Sequence, residues 1–345
     1  MKKQRVMVVD DSAFIRRMLT DWIQGTSDLE LVGVAKNGEE AEGMARDLKP
    51  DVVTLDVEMP VKSGLEALPE ILKTGAKVLM VSSVTKQGAT ATLQALEAGA
   101  YDFVTKPSSS SSLAFTGSKD ETLDKIRASR YARHRAVPAS GSAIKVSAPT
   151  QVVDRLVVIA SSTGGPSTLR TLWEQLPKNF PAPILVVQHM PEGFTASLAK
   201  RLDMAGTVPC REAKAGDKVV AGQALLCPGG VHMIVKPDMT IAFTDEPKVH
   251  GVKPAADYLF HSAAQVKGNK TVGVVLTGMG RDGADGAVAI RKVGGRVLGE
   301  NEESCVIYGM PKAAKDAGGI DAEFPLEEIA GAIIASLAKK VRDAA

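Results

Sequence analysis

Apolar runs too short for helices alternate with amphipathic stretches along nearly the whole chain. Up to residue 107 the runs are RVMVVD, LVGVA, DVVTLD, KVLMVSS and DFVT. Rich in β-branched residues and largely unbroken, they predict strands covered on both faces. Between the first two, SAFIRRMLTDWI sets Phe14, Ile15, Met18, Leu19 and Trp22 at helical spacing, with Ser12 placed to cap the helix. A second series starts at Arg155 with RLVVIAS, then the helix PSTLRTLWEQLP, whose Leu169, Leu172, Trp173 and Leu176 form one stripe, then ILVVQH. Residues 207–246, with many Gly and Pro among short runs, predict inserted hairpins. The alternation returns in TVGVVLTG, a helix from Ala284, GGRVLGEN and a terminal helix LEEIAGAIIASLAKKVRDA. Such a pattern predicts an α/β fold with two doubly wound parallel-sheet domains.

Between the two series the composition changes. A serine run from residue 108 leads into KDETLDKIRASRYARHR, a predicted amphipathic helix with Leu123 and Ile126 one turn apart and Glu121 four residues before Lys125. AVPASGSAIKVSAPTQ then lacks periodicity and reads as a flexible tether. The expected boundaries are a domain over 1–135, a linker over 136–152 and a second domain over 153–345. The 345 residues suit two domains of ordinary size. A formal charge of +2 argues against nucleic acid or an anionic membrane as partner. No apolar run reaches the roughly 18 residues of a membrane span, and acids interrupt the apolar start MKKQRVMVVDD, so a cytoplasmic location is expected. The three cysteines, Cys210, Cys227 and Cys305, form no CxxC pair, and support neither a disulfide framework nor a zinc site.

Polar residues collect where the strands of the first series finish. Asp10 and Asp11 close the first, Asp56 the third and Ser82 the fourth, and Lys106 follows the fifth. The carboxyl ends of strands in an open α/β sheet gather on one edge. Three carboxylates there repel one another unless a cation such as Mg²⁺ neutralises them, and Lys106 would bind an incoming phosphoryl group as a point charge. DD at 10–11, D-x-E-M-P at 56–60, M-V-S-S at 80–83 and T-K-P at 105–107 resemble the receiver domain of two-component response regulators, a flavodoxin-like fold. The resemblance implies that Asp56 accepts phosphate from a histidine kinase with Mg²⁺ held by Asp10, Asp11 and Asp56. It also implies that Ser82 and Phe103 relay the change; plain core packing is the alternative for Phe103.

The second series places Ser162 after LVVIAS and His189 after ILVVQ, and Asp282 follows TVGVVLTGMGR. A serine needs a base and often an acid to orient that base. Neighbouring strand residues face opposite ways, so only one of Ser161 and Ser162 faces a site, and Ser162 stands immediately before the turn Thr163-Gly164-Gly165-Pro166. Helix capping is the competing role for Ser162. S-T-G-G-P at 162–166, V-V-Q-H-M at 186–190, L-T-G-M-G-R-D-G at 276–283 and N-E-E-S-C-V-I-Y-G-M-P at 301–311 resemble the chemotaxis methylesterase CheB, from about residue 153 onward. Ala160 and Ser161 stand where many members carry Gly and Ala.

That resemblance implies a Rossmann-like, three-layer αβα methylesterase domain without a cofactor. It makes Ser162 the nucleophile, His189 the general base and Asp282 the orienting acid. Amides near Met279 and the Gly164–Gly165 turn become candidate oxyanion donors, and His232 lies near the site or merely stabilises a turn. It further implies glutamyl methyl esters on the cytoplasmic helices of methyl-accepting chemotaxis receptors as substrate. Deamidation of specific glutamines, a CheA-type kinase as phosphodonor, and a receiver that blocks the catalytic edge until Asp56 is phosphorylated complete the implied picture. The competing classes are a non-catalytic signalling module and a DNA-binding regulator; for the latter the chain lacks a basic recognition-helix domain.

Overall fold

The structure, a computed structural model, describes residues 2–107, 112–133 and 152–338. The chain forms two compact units, Met1–Val137 and Pro138–Ala345. The tether read at 136–152 lies, apart from Val152, outside the described residues.

In the first unit the five apolar runs become β1 (Gln4–Val9), β2 (Leu29–Ala35), β3 (Val52–Asp56), β4 (Lys77–Ser82) and β5 (Asp102–Thr105). They are separated by α1 (Ala13–Gln24), α2 (Gly38–Leu48), α3 (Gly64–Lys73) and α4 (Lys86–Glu97), and α5 (Ser112–Ala128) follows. The sheet is parallel in the order β2-β1-β3-β4-β5. The order reverses between β1 and β3, so the ends of these two strands open the crevice where such folds bind ligands. Ser12 caps α1 through Ile15 N (3.4 Å), and Ile15, Met18, Leu19 and Trp22 are buried. Phe14, expected on the same stripe, is instead 68% exposed. It lies one residue outside the face that β1 and β2 cover.

Helix α5 begins at Ser112, before the expected Lys119. Of the serine run only Ser112 lies in α5 among the described residues, and one serine costs a helix only about half a kcal/mol. It ends at Ala128 rather than continuing through Arg135, because Gln4 Nε2 takes the Ile126 carbonyl (3.1 Å) and the next amides tighten into i−3 bonds. Leu123 and Ile126 are buried, and Glu121 pairs with Lys125 at 3.0 Å.

The second unit contains β6 (Leu156–Ser161), α6 (Gly165–Gln175), β7 (Ile184–Gln188), α7 (Phe194–Ala205), β8 (Cys210–Glu212), β9 (Ala224–Leu226), β10 (His232–Val235) and β11 (Ile241–Thr244). It continues with α8 (Ala256–Lys267), β12 (Thr271–Val275), α9 (Ala284–Lys292), β13 (Arg296–Glu300), α10 (Met310–Asp316), β14 (Ala322–Phe324) and α11 (Leu326–Ala338). Seven parallel strands run in the order β14-β13-β12-β6-β7-β9-β8. Residues 207–246 therefore hold one hairpin, β10–β11. The ALL run of β9 is too apolar for an exposed hairpin and is buried as an inner strand beside β7, with β8 beyond it.

Along β6 and β7, alternate residues Leu156, Val158, Ala160, Leu185 and Val187 enter one core with Leu259, Phe260 and Ala263 of α8. The predicted stripe Leu169, Leu172, Trp173 and Leu176 is buried, and Trp173 Nε1 donates to Val208 O at 3.1 Å. After β7 the chain builds β8 and β9 on one side of β6, then crosses back to lay β12 on its other side. The reversal falls between β6 and β12, at the carboxyl end of β6.

Candidate active sites

At the β1/β3 edge the sheet gathers the three predicted acids. Asp10 and Asp56 are buried and Asp11 is exposed, and each offers a carboxylate oxygen within 4.8 Å of the others. Lys106, the residue after β5, is fixed by its N–H to Ser82 O (2.8 Å) and places Nζ 2.7 Å from Asp56 Oδ2 and 3.0 Å from Asp10 Oδ2. Asp10 Oδ2 is a buried oxygen balanced only by the charge of Lys106 at 3.0 Å. Oxygen ligands, an unspent buried acceptor and an exposed third carboxylate fit a hard divalent cation that keeps some of its water.

Burial raises the Asp56 carboxyl to about 6, against the pull of the Lys106 hydrogen bond and with the Asp10 charge adding to the rise. Below that pH Asp56 holds a proton and is a poor nucleophile. Ser82 is buried, accepts from Thr92 Oγ1 (2.7 Å) and donates to Ser83 O (3.3 Å). Phe103 is buried with the Lys125 ammonium 5.3 Å from its ring centre. The structure thus gathers Asp10, Asp11, Asp56 and Lys106 directly and sets Ser82 one strand over; it packs Phe103 in the core.

In the second unit β12, β6 and β7 are neighbours, and their register carries Val275 beside Ala160 and Ser161 beside Gln188. One residue further on, Ser162 N donates to Thr277 O (3.0 Å) and His189 N donates to Ser161 O (3.1 Å). The two serines are separated by their partners. Ser161 is fully buried and its hydroxyl donates to Gln188 Oε1 at 2.7 Å. Ser162 is half-buried, and its hydroxyl makes no hydrogen bond among the described residues, including with His189.

His189 is held by Asp282. Its Nε2 lies 2.6 Å from Asp282 Oδ2, and its Nδ1 is buried without a partner. With the carboxylate on Nε2, the neutral ring carries its proton there and leaves the Nδ1 lone pair free to accept. Asp282 owes its place to the start of α8: its Oδ2 accepts from Ala256 N (2.5 Å) and its Oδ1 from Asp257 N (3.1 Å). A carboxylate on a helix N-terminus is favourable, and Ala255, in the cap position, offers no side chain to compete. Burial opposes the charge, but the His189 ring and the two amides outweigh it and hold Asp282 below the usual carboxylate range.

Glycine shapes the turns around this edge. Gly164 and Gly283, at the starts of α6 and α9, have φ of 78° and 87°, in the left-handed region. Gly165 meets a different constraint: a Cβ there would stand 1.9 Å from Gln188 Oε1. Gln188 cannot swing aside freely, because its amide also donates to Ser162 O (2.9 Å) and His189 O (3.2 Å). We expect Gly165→Ala to destabilise the second unit by about 1–3 kcal/mol, read as a lower denaturant midpoint; an unchanged midpoint would mean the Gln188 network is not rigid. Of the expected oxyanion donors, the Gly165 N–H is already spent on Ser162 O (2.8 Å). The amides of Gly164 and Met279 have no acceptor among the described residues.

His232 is fully buried, with Nδ1 accepting from Ala255 N (2.9 Å), Nε2 against Pro247 O (3.1 Å) and its ring stacked on Tyr258 at 4.2 Å. Both nitrogens are committed to anchoring the approach to α8. Gln188 and the α8 amides are the site features that sequence reasoning missed. A polar residue ending an otherwise apolar strand was the only signal for Gln188, and nothing in the spacing pointed to α8.

Residues 157–333 match the CheB methylesterase family, and residues 6–115 the response regulator receiver domain. The chain is 46% identical over 348 residues to a protein-glutamate methylesterase/protein-glutamine glutaminase of Pyrococcus abyssi, with 96% of this chain and 93% of that protein covered. It is 45% identical over 331 residues to the one of Thermotoga maritima, with 94% and 96% covered. The crystal structure of the Thermotoga maritima CheB methylesterase catalytic domain superposes with a TM-score of 0.51 at 43% identity, over 52% of this chain and 97% of that one.

Proposed function

Because the chain belongs to the CheB methylesterase family and carries a receiver domain ahead of its esterase domain, we propose that Ser162, His189 and Asp282 hydrolyse glutamyl methyl esters on methyl-accepting chemotaxis receptors, under control of phosphorylation at Asp56. The chain is a carboxylic ester hydrolase of the protein-glutamate methylesterase/protein-glutamine glutaminase type. Residues 1–135 act as receiver, 136–152 as linker and 153–345 as catalytic domain. One observation carries the reading of the triad: His189 has Nε2 committed to Asp282 and a buried, unpartnered Nδ1 at the sheet edge that bears Ser162.

In the reaction Ser162 Oγ attacks the ester carbonyl carbon while His189 Nδ1 takes its proton. The amides of Met279 and Gly164 receive the oxyanion, and Asp282 steadies the imidazolium. Collapse of the tetrahedral intermediate expels methoxide, which leaves as methanol with the proton from Nδ1. Water then attacks the acyl-serine, giving a proton to Nδ1; the acyl–Oγ bond breaks, Oγ takes that proton back, and glutamate is released with Ser162 and neutral His189 restored. A glutamine side chain follows the same course with ammonia as the leaving group.

In the receiver, an Asp56 carboxylate oxygen attacks the phosphorus of the phosphohistidine of a CheA-type kinase, forming an acyl phosphate as the N–P bond breaks and the kinase imidazole leaves. Asp10, Asp11 and Asp56 would hold Mg²⁺, which when bound neutralises charge on the transferring group. Lys106 then pairs with the phosphoryl oxygens, and Ser82 turns its hydroxyl toward them. This biases the receiver away from an inhibitory state. Among the described residues no helix is long and apolar enough to cross a membrane, and we assign the enzyme to the cytoplasm, where the receptor helices lie.

The test is methanol release from methylated receptor membranes, with and without a phosphodonor and Mg²⁺. An allosteric coupling of about 1–3 kcal/mol gives roughly 5- to 150-fold stimulation. Asp56→Asn is expected to abolish the stimulation and retain the basal rate. A donor response that survives in Asp56→Asn would remove Asp56 from the control.

A further inference from the structure

A second buried carboxyl, unused by the reaction above, stands behind the His189–Asp282 pair. Asp257 is the second residue of α8 and only 6% exposed. Its backbone amide is one of the two that hold Asp282. Its side chain bridges to the next helix: Oδ1 accepts from Gly286 N in α9 at 2.7 Å, and Oδ2 lies 3.5 Å from His250 Nε2. The Asp282 carboxylate thus lies against the backbone of the residue that carries the second carboxyl. From His189 inward the order is therefore imidazole, carboxylate, carboxyl, imidazole, ending at partly exposed His250.

We infer that Asp257 is a positioning residue for the triad, whose ionisation adds a second negative charge behind His189 and favours the imidazolium formed during ester hydrolysis. The inference rests on the Ser162–His189–Asp282 reading and deepens it. Two buried carboxyls in apposition do not both ionise without cost. Asp282 keeps its charge because the His189 ring and two amides stabilise it. Asp257 bears the consequence: burial first, and then the Asp282 charge, push it up to about 6.

The groups facing Asp257 are few. Asp282 comes from the loop after β12. Asp285 comes from α9 and adds to the rise, although it is itself paired with Arg281 at 3.0 Å. His250 comes from the loop ahead of α8. His232, on β10, turns its nitrogens to Ala255 and Pro247 instead. Above the titration of Asp257 the developing imidazolium has two negative charges behind it. Below it, Asp257 carries a proton and the second charge is gone.

The test compares kcat/KM of full-length wild type and Asp257→Asn on methylated receptor membranes from pH 5 to 8.5. The asparagine mimics the protonated carboxyl at all pH values. The wild type is expected to be about tenfold faster at pH 8, and this ratio is expected to fall toward one below pH 5.5. Because both proteins carry the receiver, the ratio cancels the titration of Asp56. His250→Gln, which removes the imidazole facing Asp257, is expected to move the convergence to higher pH. A ratio that stays constant across the range would make Asp257 a packing residue and overturn the inference, as would a ratio of one at pH 8. Ser162→Ala assayed in parallel separates the two readings: an active Ser162→Ala sinks the triad, whereas an inactive one beside a flat Asp257→Asn ratio sinks only the inference.

Discussion

Replacing Ser162 with alanine is expected to reduce methanol release from methylated receptors by roughly 10⁴- to 10⁶-fold, the loss typical of removing an activated serine from a working triad. The protein should otherwise be undisturbed. Ser162 Oγ makes no hydrogen bond among the described residues, and the backbone bonds that fix the turn, from Ser162 N to Thr277 O and from Gly165 N to Ser162 O, do not involve the side chain. Helix α6 has its cap position filled by Gly164, without a side-chain hydrogen bond. The capping role that a serine before a helix ordinarily plays is therefore not in use here. Ser161→Ala is the control: it deletes a buried hydrogen bond to Gln188 (2.7 Å), costing about 1 kcal/mol of stability, with the reacting hydroxyl still present. A Ser162→Ala protein with more than a tenth of the wild-type rate and an unchanged melting temperature would leave the second unit as a binding module.

Much of this was legible in the sequence because strands buried on both faces have to be unbroken apolar runs, and the polar residue ending each run marks the carboxyl edge of the sheet. That logic located Asp10, Asp56, Ser162 and His189 and predicted both doubly wound sheets. It failed where a residue's environment depends on distant partners. Phe14 has helical spacing but lies beyond the face that β1 and β2 cover. The segment 207–246 read as hairpins, whereas its ALL strand at 224–226 pairs parallel with β7, Ala224 lying opposite Ile184, and with β8, Ala224 lying opposite Cys210. The edge of the sheet gives the address of His189, whereas the orientation of its ring is decided by Asp282, and Asp282 is in turn decided by the amides that start α8. No local pattern encodes that chain of dependence. Its members are 93 residues apart for His189 and Asp282 and 26 for Ala256 and Asp282.

Asp282→Asn is expected to lower kcat by about 10⁴-fold, through the proton on His189 rather than through loss of the fold. The carboxylate now accepts three bonds: Oδ2 from His189 Nε2–H and Ala256 N–H, and Oδ1 from Asp257 N–H. An asparagine has one acceptor and one donor group to set against three donors. If its oxygen faces Ala256 and His189, its NH₂ meets the Asp257 N–H head-on. If it is turned the other way, its NH₂ points at His189 Nε2, which must then become an acceptor and send the ring proton to Nδ1. That is the nitrogen required to take the proton of Ser162, so the base is lost while every heavy atom remains in place. Either orientation leaves one buried amide of α8 opposed, at a cost of about 1–3 kcal/mol in stability, which denaturant unfolding measures separately. Nitrogen NMR of His189 distinguishes the causes: transfer of the ring proton from Nε2 to Nδ1 supports the tautomer argument. An inactive variant whose proton stays on Nε2 would place the defect in the oxyanion turn beside Met279 instead, since residues 279 and 282 share one loop.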